Sequence, residues 1–282
     1  MSAVGLDDAF AEAVADGRCG DRLWLYATYH CNLACTYCLT ESRPAIVNRR
    51  SLTRRAMIDA ATEARQLGFS SLGVTGGEVF MMPDFPEVLA ELGAILPTLA
   101  LTNGTLVTPR LLNRLEPLRD LDVALQISLD SADPLLNDEL RGPSNHASVV
   151  DAVPKLVARG IKVRIATTVE QQTPEDLARL CELHRGWGIG DDDHLVRSIV
   201  RRGRAELEGM GVEPGETDIL PELTVTADGA FLHPFAPTVR HGVTDLDLLV
   251  SRQTDPLAMA LERFLRVVSR QPAGTDAVRN IR

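Results

Sequence analysis

Lysine is almost missing from this chain. Of 29 Lys and Arg residues only Lys155 and Lys162 are lysines, and 39 Asp and Glu leave a formal net charge of −10 over 282 residues. Non-specific nucleic-acid binding rests on basic side chains neutralising phosphates. The arginines here are scattered rather than striped, so no nucleic-acid partner is expected. No stretch approaches the roughly 18–20 consecutive apolar residues of a membrane span, and no membrane partner is expected either. The opening Met1-Ser2-Ala3-Val4-Gly5-Leu6-Asp7-Asp8 has neither the basic start nor the apolar run of a secretory signal. A cytoplasmic setting follows, in which cysteines serve metals or chemistry rather than disulfides. Internal repeats, low-complexity tracts and charge blocks are also lacking.

What is present is the composition of a packed domain: 45% apolar and 24% charged residues, close to the globular average. A disordered chain is excluded. The length suits one large domain, or one domain with an addition, since an α/β barrel alone runs to roughly 250 residues.

Short apolar runs alternate with amphipathic ones. Strands are read at Leu23–Thr28, Ser71–Thr75, Leu99–Thr102, Val123–Ser128, Ile161–Val169 and His194–Val200. Helices are read between them, opening at Ser51 or Thr53 and spanning Asp84–Leu96, Pro109–Leu118 and His146–Arg159. The last of these must accommodate Pro154, and a fifth helix opens at Thr173-Pro174-Glu175-Asp176. Alternation of this kind predicts a parallel sheet with right-handed crossovers. Six units of about 30 residues each are too few to close an eight-fold barrel. The expected fold is α/β: a partial (β/α)6 TIM-type barrel over 22–205, preceded by an N-terminal extension (1–21) and followed by a small C-terminal α+β appendage (206–282). In the appendage, Glu222–Thr226 and Ala230–His233 read as a hairpin across Ala227-Asp228-Gly229, and Pro256–Ser269 reads as a helix.

Three of the five cysteines lie within eight residues, in Cys31-Asn32-Leu33-Ala34-Cys35-Thr36-Tyr37-Cys38, directly after the first strand. Loops at the C-terminal strand ends of a parallel barrel build its active site. Structural zinc wants four closed ligands, usually as two separated pairs, and only His30 is near enough in sequence to be a fourth. A [4Fe–4S] cluster normally takes four thiolates; with three, one iron is left open. The context below favours the cluster over zinc.

The Cys-x3-Cys-x2-Cys spacing, with an aromatic before the last cysteine, resembles the signature of the radical SAM superfamily. The resemblance implies a partial barrel and S-adenosylmethionine (SAM) chelated to the open iron by its amino and carboxylate groups. It also implies reductive cleavage of SAM to a 5′-deoxyadenosyl radical that takes hydrogen from a substrate. Thr75-Gly76-Gly77-Glu78 looks like the family's motif for the methionine amino group, with Val79 where the family often has proline. An acidic side chain suits an ammonium, and two glycines let backbone approach a ligand; a plain strand-to-helix turn is the competing reading. Thr102-Asn103-Gly104 and Ser128-Leu129-Asp130 are similar to the branch holding the molybdenum-cofactor cyclase and the sulfatase-maturing enzymes. That similarity carries a ribose contact to Ser128, an adenine contact to Tyr37 and a place near the cofactor carboxylate to Arg141. A solvated surface arginine is the alternative for Arg141, and Asp130, followed by Ser131 and Pro134, reads equally as a helix cap. Thr102, Asn103, Thr168 and Arg197 end strands three, five and six and are substrate-side candidates. Cys181, with Leu177, Leu180 and His184, is read on an apolar helix face, and His184 as a helix-face residue.

The hairpin and the following His233-Pro234 look like a SPASM or twitch extension, but no cysteine follows Cys181. One cluster is therefore expected, and redox-neutral rearrangement, elimination or epimerisation is favoured over oxidation through an auxiliary cluster. The roughly 20 residues before the first strand are too few for a leader-peptide domain. The expected substrate is a small molecule or short peptide, with a peptide-maturing enzyme that borrows a separate recognition protein as the alternative. The resemblance implies a flavodoxin or ferredoxin-type reductant. An iron–sulfur redox sensor or electron carrier without radical chemistry is the reading of a different class. Such a protein has no use for the groups around Gly76, Gly77, Glu78 and Ser128.

Overall fold

A computed structural model describes residues 5–170, 172–215 and 218–270. Residues 1–4 of the expected N-terminal extension and 216–217 and 271–282 of the expected appendage lie outside the described residues.

Helix α1 (Leu6–Ala15) precedes strand β1 (Arg22–Thr28), and the alternation then runs α2 (Arg54–Gln66), β2 (Ser71–Gly76), α3 (Phe85–Ile95), β3 (Thr98–Thr102), α4 (Pro109–Leu115) and β4 (Val123–Ser128). It continues with α5 (Pro134–Arg141), α6 (Asn145–Val157), β5 (Lys162–Val169), α7 (Pro174–Gly186), β6 (His194–Ser198) and the single turn α8 (Arg204–Leu207). Strands β1 to β6 pair in parallel and in sequence order. The partial barrel is as expected. Helix starts are set by local chemistry: Thr53 accepts from Ala56 N at 3.1 Å, and Thr173 and Asp176 form a reciprocal capping box ahead of Pro174. The core lies between sheet and helices, where Leu25, Leu72, Val74, Leu125 and Ile165 are fully buried.

Four features depart from the reading above. The first is α1, whose Phe10 stacks on Phe69 at 4.4 Å between ring centroids; Leu6, Phe10, Ala13 and Val14 recur at helical spacing, so the signal was available. The second is α5, capped by Asp133 rather than Asp130. The third is His184, read only as a helix-face residue, which is 1% exposed on the buried face of α7. Its ring abuts His194 at 4.4 Å, and burial pulls its basicity down to a pKa of about 3. Cys181 is half-buried beside it, with Sγ 3.5 Å from His194 Nδ1.

The fourth concerns the C-terminal strands. Hairpin β7 (Thr224–Thr226) and β8 (Gly229–Phe231) forms, but β7 also pairs in parallel with β1, placing Trp24 opposite Thr224 and Leu25 opposite Val225. The hairpin thus extends the six-stranded barrel sheet at its β1 side to eight strands, and a short strand pairing with β8 makes the ninth. β1 is buried from Leu23 to Thr28, and a buried edge needs partners for its backbone groups. Two short strands, β9 (Val239–Arg240) and β10 (Val243–Thr244), make a separate hairpin, and β11 (Leu249–Ser251) pairs with β8. Helix α9 (Leu257–Val268) closes the described chain. It lacks a side-chain cap of its own, and Glu63 of α2 supplies one by accepting from Leu257 N at 2.6 Å and Ala258 N at 2.8 Å.

Candidate active site

The C-terminal ends of the parallel strands and the loop after β1 line one cleft of about 1110 Å3, counted out to its open mouth. Cys31, Cys35 and Cys38 all face it, with Tyr37, Gly76, Gly77, Thr102, Asn103, Ser128, Arg141, Thr168 and Arg197. Residues drawn from five strand ends and from the loop thus converge on one space.

Cys31 is buried, and its sulfur accepts from Leu33 N at 3.4 Å and from Asn103 Nδ2 at 3.8 Å. Cys35 Sγ lies 3.6 Å from Arg141 O, and Cys38 Sγ 3.6 Å from Thr40 Oγ1. Burial pushes the Cys31 thiol up to about 12 and raises Cys35 as well. Without a metal both stay protonated at neutral pH; coordination is what ionises such thiols. Among the described residues, no three Cys, His, Asp or Glu side chains gather as one ion would require, since Zn–S bonds of about 2.3 Å draw sulfurs close together. Three thiols along one wall, with N–H donors on one sulfur, fit the corners of a polynuclear iron–sulfur group.

The glycine pair has a structural duty that its sequence only half discloses. Gly77 N donates to Thr28 O at 2.7 Å and Glu78 N to His30 O at 2.8 Å, which stitches the end of β2 to the entrance of the cysteine loop. A side chain on Gly77 would put Cβ 2.3 Å from His30 O, and one on Gly76 would put it 2.4 Å from Thr28 O. Gly77→Ala is expected to lose about 1–3 kcal/mol of stability through this overpacking, read as a lower urea midpoint. A midpoint equal to that of the wild type would show that the loop entrance yields.

Glu78 does not line the cleft. It is fully buried behind the glycines, where it accepts from Phe80 N at 3.1 Å, Thr102 Oγ1 at 2.7 Å and Asn103 N at 2.7 Å. Burial raises its pKa despite these three donors, and among the described residues no Arg or Lys pairs with it. Thr102 and Asn103, expected on the substrate side, use polar atoms on the framework: Thr102 on Glu78, and Asn103 on Asn32 Oδ1 at 2.9 Å and on Cys31.

Asp130 is the residue that sequence reasoning most undervalued. It is 0% exposed, and it gathers three elements. Its Oδ1 accepts from Thr168 N at 2.8 Å, and its Oδ2 accepts from Tyr37 Oη and Arg141 Nη1, the latter at 3.1 Å. Arg141 also donates to Tyr37 Oη. Arg141 is 6% exposed, which overturns the solvated-surface alternative. Strand period could have signalled this, because Ser128 and Asp130 fall on one face.

Arg197 differs from Arg141. Its guanidinium lies 5.6 Å from the Phe235 ring centroid, and among the described residues it has neither ion pair nor hydrogen-bond partner. Burial pulls its pKa below the ordinary arginine range. Phe235 and Pro234, after β8, close the cleft on this side. The site therefore offers one buried and two half-buried sulfurs, a glycine-lined wall with the Glu78 carboxylate behind it, Arg141 paired with Asp130, and Arg197, which forms no ion pair among the described residues.

The chain matches the radical SAM superfamily over residues 25–184. It is 30% identical over 203 residues to the mycofactocin maturase MftC of Mycobacterium tuberculosis, covering 71% of this chain and 47% of that one. It is 29% identical over 211 residues to the PqqA peptide cyclase of Streptomyces rochei, covering 64% and 56%. The chain thus spans about half the length of these curated relatives. Among solved structures, anSMEcpe with bound AdoMet and the Cp18Cys peptide superposes with a TM-score of 0.63 at 13% identity, covering 89% of this chain and 84% of that one. That likeness concerns the fold. No helix among the described residues is long and apolar enough to cross a membrane.

Proposed function

The chain belongs to the radical SAM superfamily, and on that premise we propose that it is a peptide-modifying enzyme in which Cys31, Cys35 and Cys38 hold a single [4Fe–4S] cluster. When bound, the cluster supplies an electron to SAM, which yields methionine and a 5′-deoxyadenosyl radical that takes hydrogen from the substrate. The observation that carries the reading is the convergence of the three cysteines, Gly76, Gly77 and Ser128 on one cleft. A redox sensor has no reason to build a nucleotide site beside its cysteines.

The chain's own residues divide the work. Backbone at Gly76–Gly77 receives the methionine ammonium, and Glu78, buried directly behind these glycines, sets the negative potential there without touching the ligand. Ser128 meets the ribose and Tyr37 flanks the adenine. Arg141, already neutralised by Asp130, orients the cofactor carboxylate rather than supplying net charge. Arg197 faces the substrate and favours an anionic or carbonyl-rich group. Peptide chemistry is supported by the relative whose name states it. The reading is completed by a redox-neutral outcome and a flavodoxin or ferredoxin-type reductant.

Anaerobic reconstitution followed by dithionite and SAM is the test, with 5′-deoxyadenosine and methionine as products by mass spectrometry. An intact cluster that forms neither would overturn the proposal. Glu78→Gln keeps the shape and removes the negative charge behind the glycine wall. It is expected to bind SAM about ten-fold more weakly, through loss of a buried charge acting in a low-dielectric wall, with iron content unchanged. Equal SAM affinity in equilibrium dialysis would remove Glu78 from the cofactor site.

A further inference from the structure

The cysteine loop lies between β1 and α2, and residues 29–53 contain neither helix nor strand. Its polar backbone must therefore be satisfied from elsewhere. Thr36 N donates to Leu140 O at 2.9 Å, and Leu39 O accepts from Val239 N at 3.0 Å. The densest set of partners comes from the far end of the barrel, just past β6. Arg204 N donates to Cys38 O at 2.9 Å, Arg204 Nη1 donates to Cys35 O, and Arg204 Nη2 donates to Ser42 O at 3.2 Å. One residue thus holds carbonyls of two cysteines and of Ser42, further along the same loop. The preceding residue permits the approach: Gly203 has φ 60° and ψ −131°, and a Cβ there would sit 2.2 Å from Leu39 O and 2.6 Å from Leu39 C. That backbone region is close to glycine-only.

The guanidinium is half-buried, and among the described residues it pairs with no carboxylate. Its positive charge is left to act on the nearest anions. Once the cysteines carry a metal group those are the thiolates. Net charge and hydrogen bonding near an iron–sulfur cluster set its reduction potential. A fixed cation at this range favours the more negative, reduced form.

We propose that Gly203 and Arg204 form a clasp that shapes the cysteine loop and places a permanent positive charge beside the cluster thiolates, so that Arg204 is a positioning residue for both iron retention and reduction. The inference rests on the proposed cluster site, and the experiment separates the two. Wild type, R204M, R204K and G203A are reconstituted without oxygen as full-length chains. Three quantities are read: iron per chain, the rate of iron loss to a chelator, and the cluster's midpoint potential in an EPR-monitored titration without SAM.

R204M is expected to lose iron at least about ten-fold faster, because two hydrogen bonds from a charged group are removed, and to show a more negative potential. R204K is expected to keep the potential near that of wild type while still losing iron faster, since one ammonium cannot bridge the Cys35 and Ser42 carbonyls. G203A is expected to lose iron faster with Arg204 intact. Should R204M fail to fold, R204K and G203A decide the clasp. Wild type that loads iron, with variants that lose it no faster, overturns the clasp alone. Faster iron loss at an unchanged R204M potential overturns the electrostatic half. Wild type that takes up no iron overturns the reading of the site on which the clasp depends.

Discussion

Cys35→Ala, purified and reconstituted without oxygen, is expected to lack the iron–sulfur chromophore and to form no detectable 5′-deoxyadenosine. The effect is all-or-none because the loop offers three sulfurs and no spare. Among the described residues, the other two cysteines lie elsewhere: Cys19 is 2% exposed in the core, and Cys181 lies against His194 on α7. Neither lines the cleft, so neither can stand in. Cys181→Ala is the matched control, a thiol removed at no cost to the cluster. Iron assay, visible absorbance and product analysis on the two variants together check the assignment. A Cys35→Ala chain with full iron and turnover would refute it.

Asp130→Ala is expected to lower the unfolding free energy by about 3–5 kcal/mol, the usual range for leaving one member of a buried ion pair unpartnered. The reasoning is geometric. Asp130 and Arg141 are both almost completely buried, and the same carboxylate holds Thr168 N of β5 and the Tyr37 hydroxyl. Truncation leaves a guanidinium, a phenol and an amide without their acceptor in one place. Asp130→Ala with Arg141→Met removes both charges and is expected to recover part of the loss, because an apolar replacement of a buried pair is often near neutral. Urea titration of the four corners of this cycle measures it. A single-variant loss below about 1 kcal/mol would place the hub at the level of an exposed ion pair.

Residue by residue, the legible and illegible parts of this site differ in kind. The cysteine trio and Gly76-Gly77-Glu78 could be read because each is contiguous and follows a recognisable strand. Glu78 shows how far that goes: its motif pointed to a ligand, whereas its position behind the glycine wall and its bonds to Thr102 and Asn103 appear only in three dimensions. Asp130 was open to reading as a cap because Ser131 and Pro134 mimic a helix start, while the actual cap is Asp133 three residues on. Arg141 could not be placed on or off the surface, since burial depends on Tyr37, 104 positions away. Arg204 carried no signal at all; its partner Cys35 lies 169 positions back.

The alternation of strands and helices, the place of the cysteine loop at a C-terminal strand end, and the close spacing of its three cysteines were settled by the chain's local order. Period, capping and close spacing act within a few residues, and such short-range physics survives in one dimension. The tertiary structure decided that β7 joins the sheet beside β1, that Asp130 ties Tyr37, Arg141 and Thr168 together, that Phe235 backs Arg197, and that Arg204 returns to grip the cysteine loop. Each of these depends on which distant segments the parallel crossovers bring into contact. A side chain's charge and hydrogen bonds take their meaning from the neighbours so delivered.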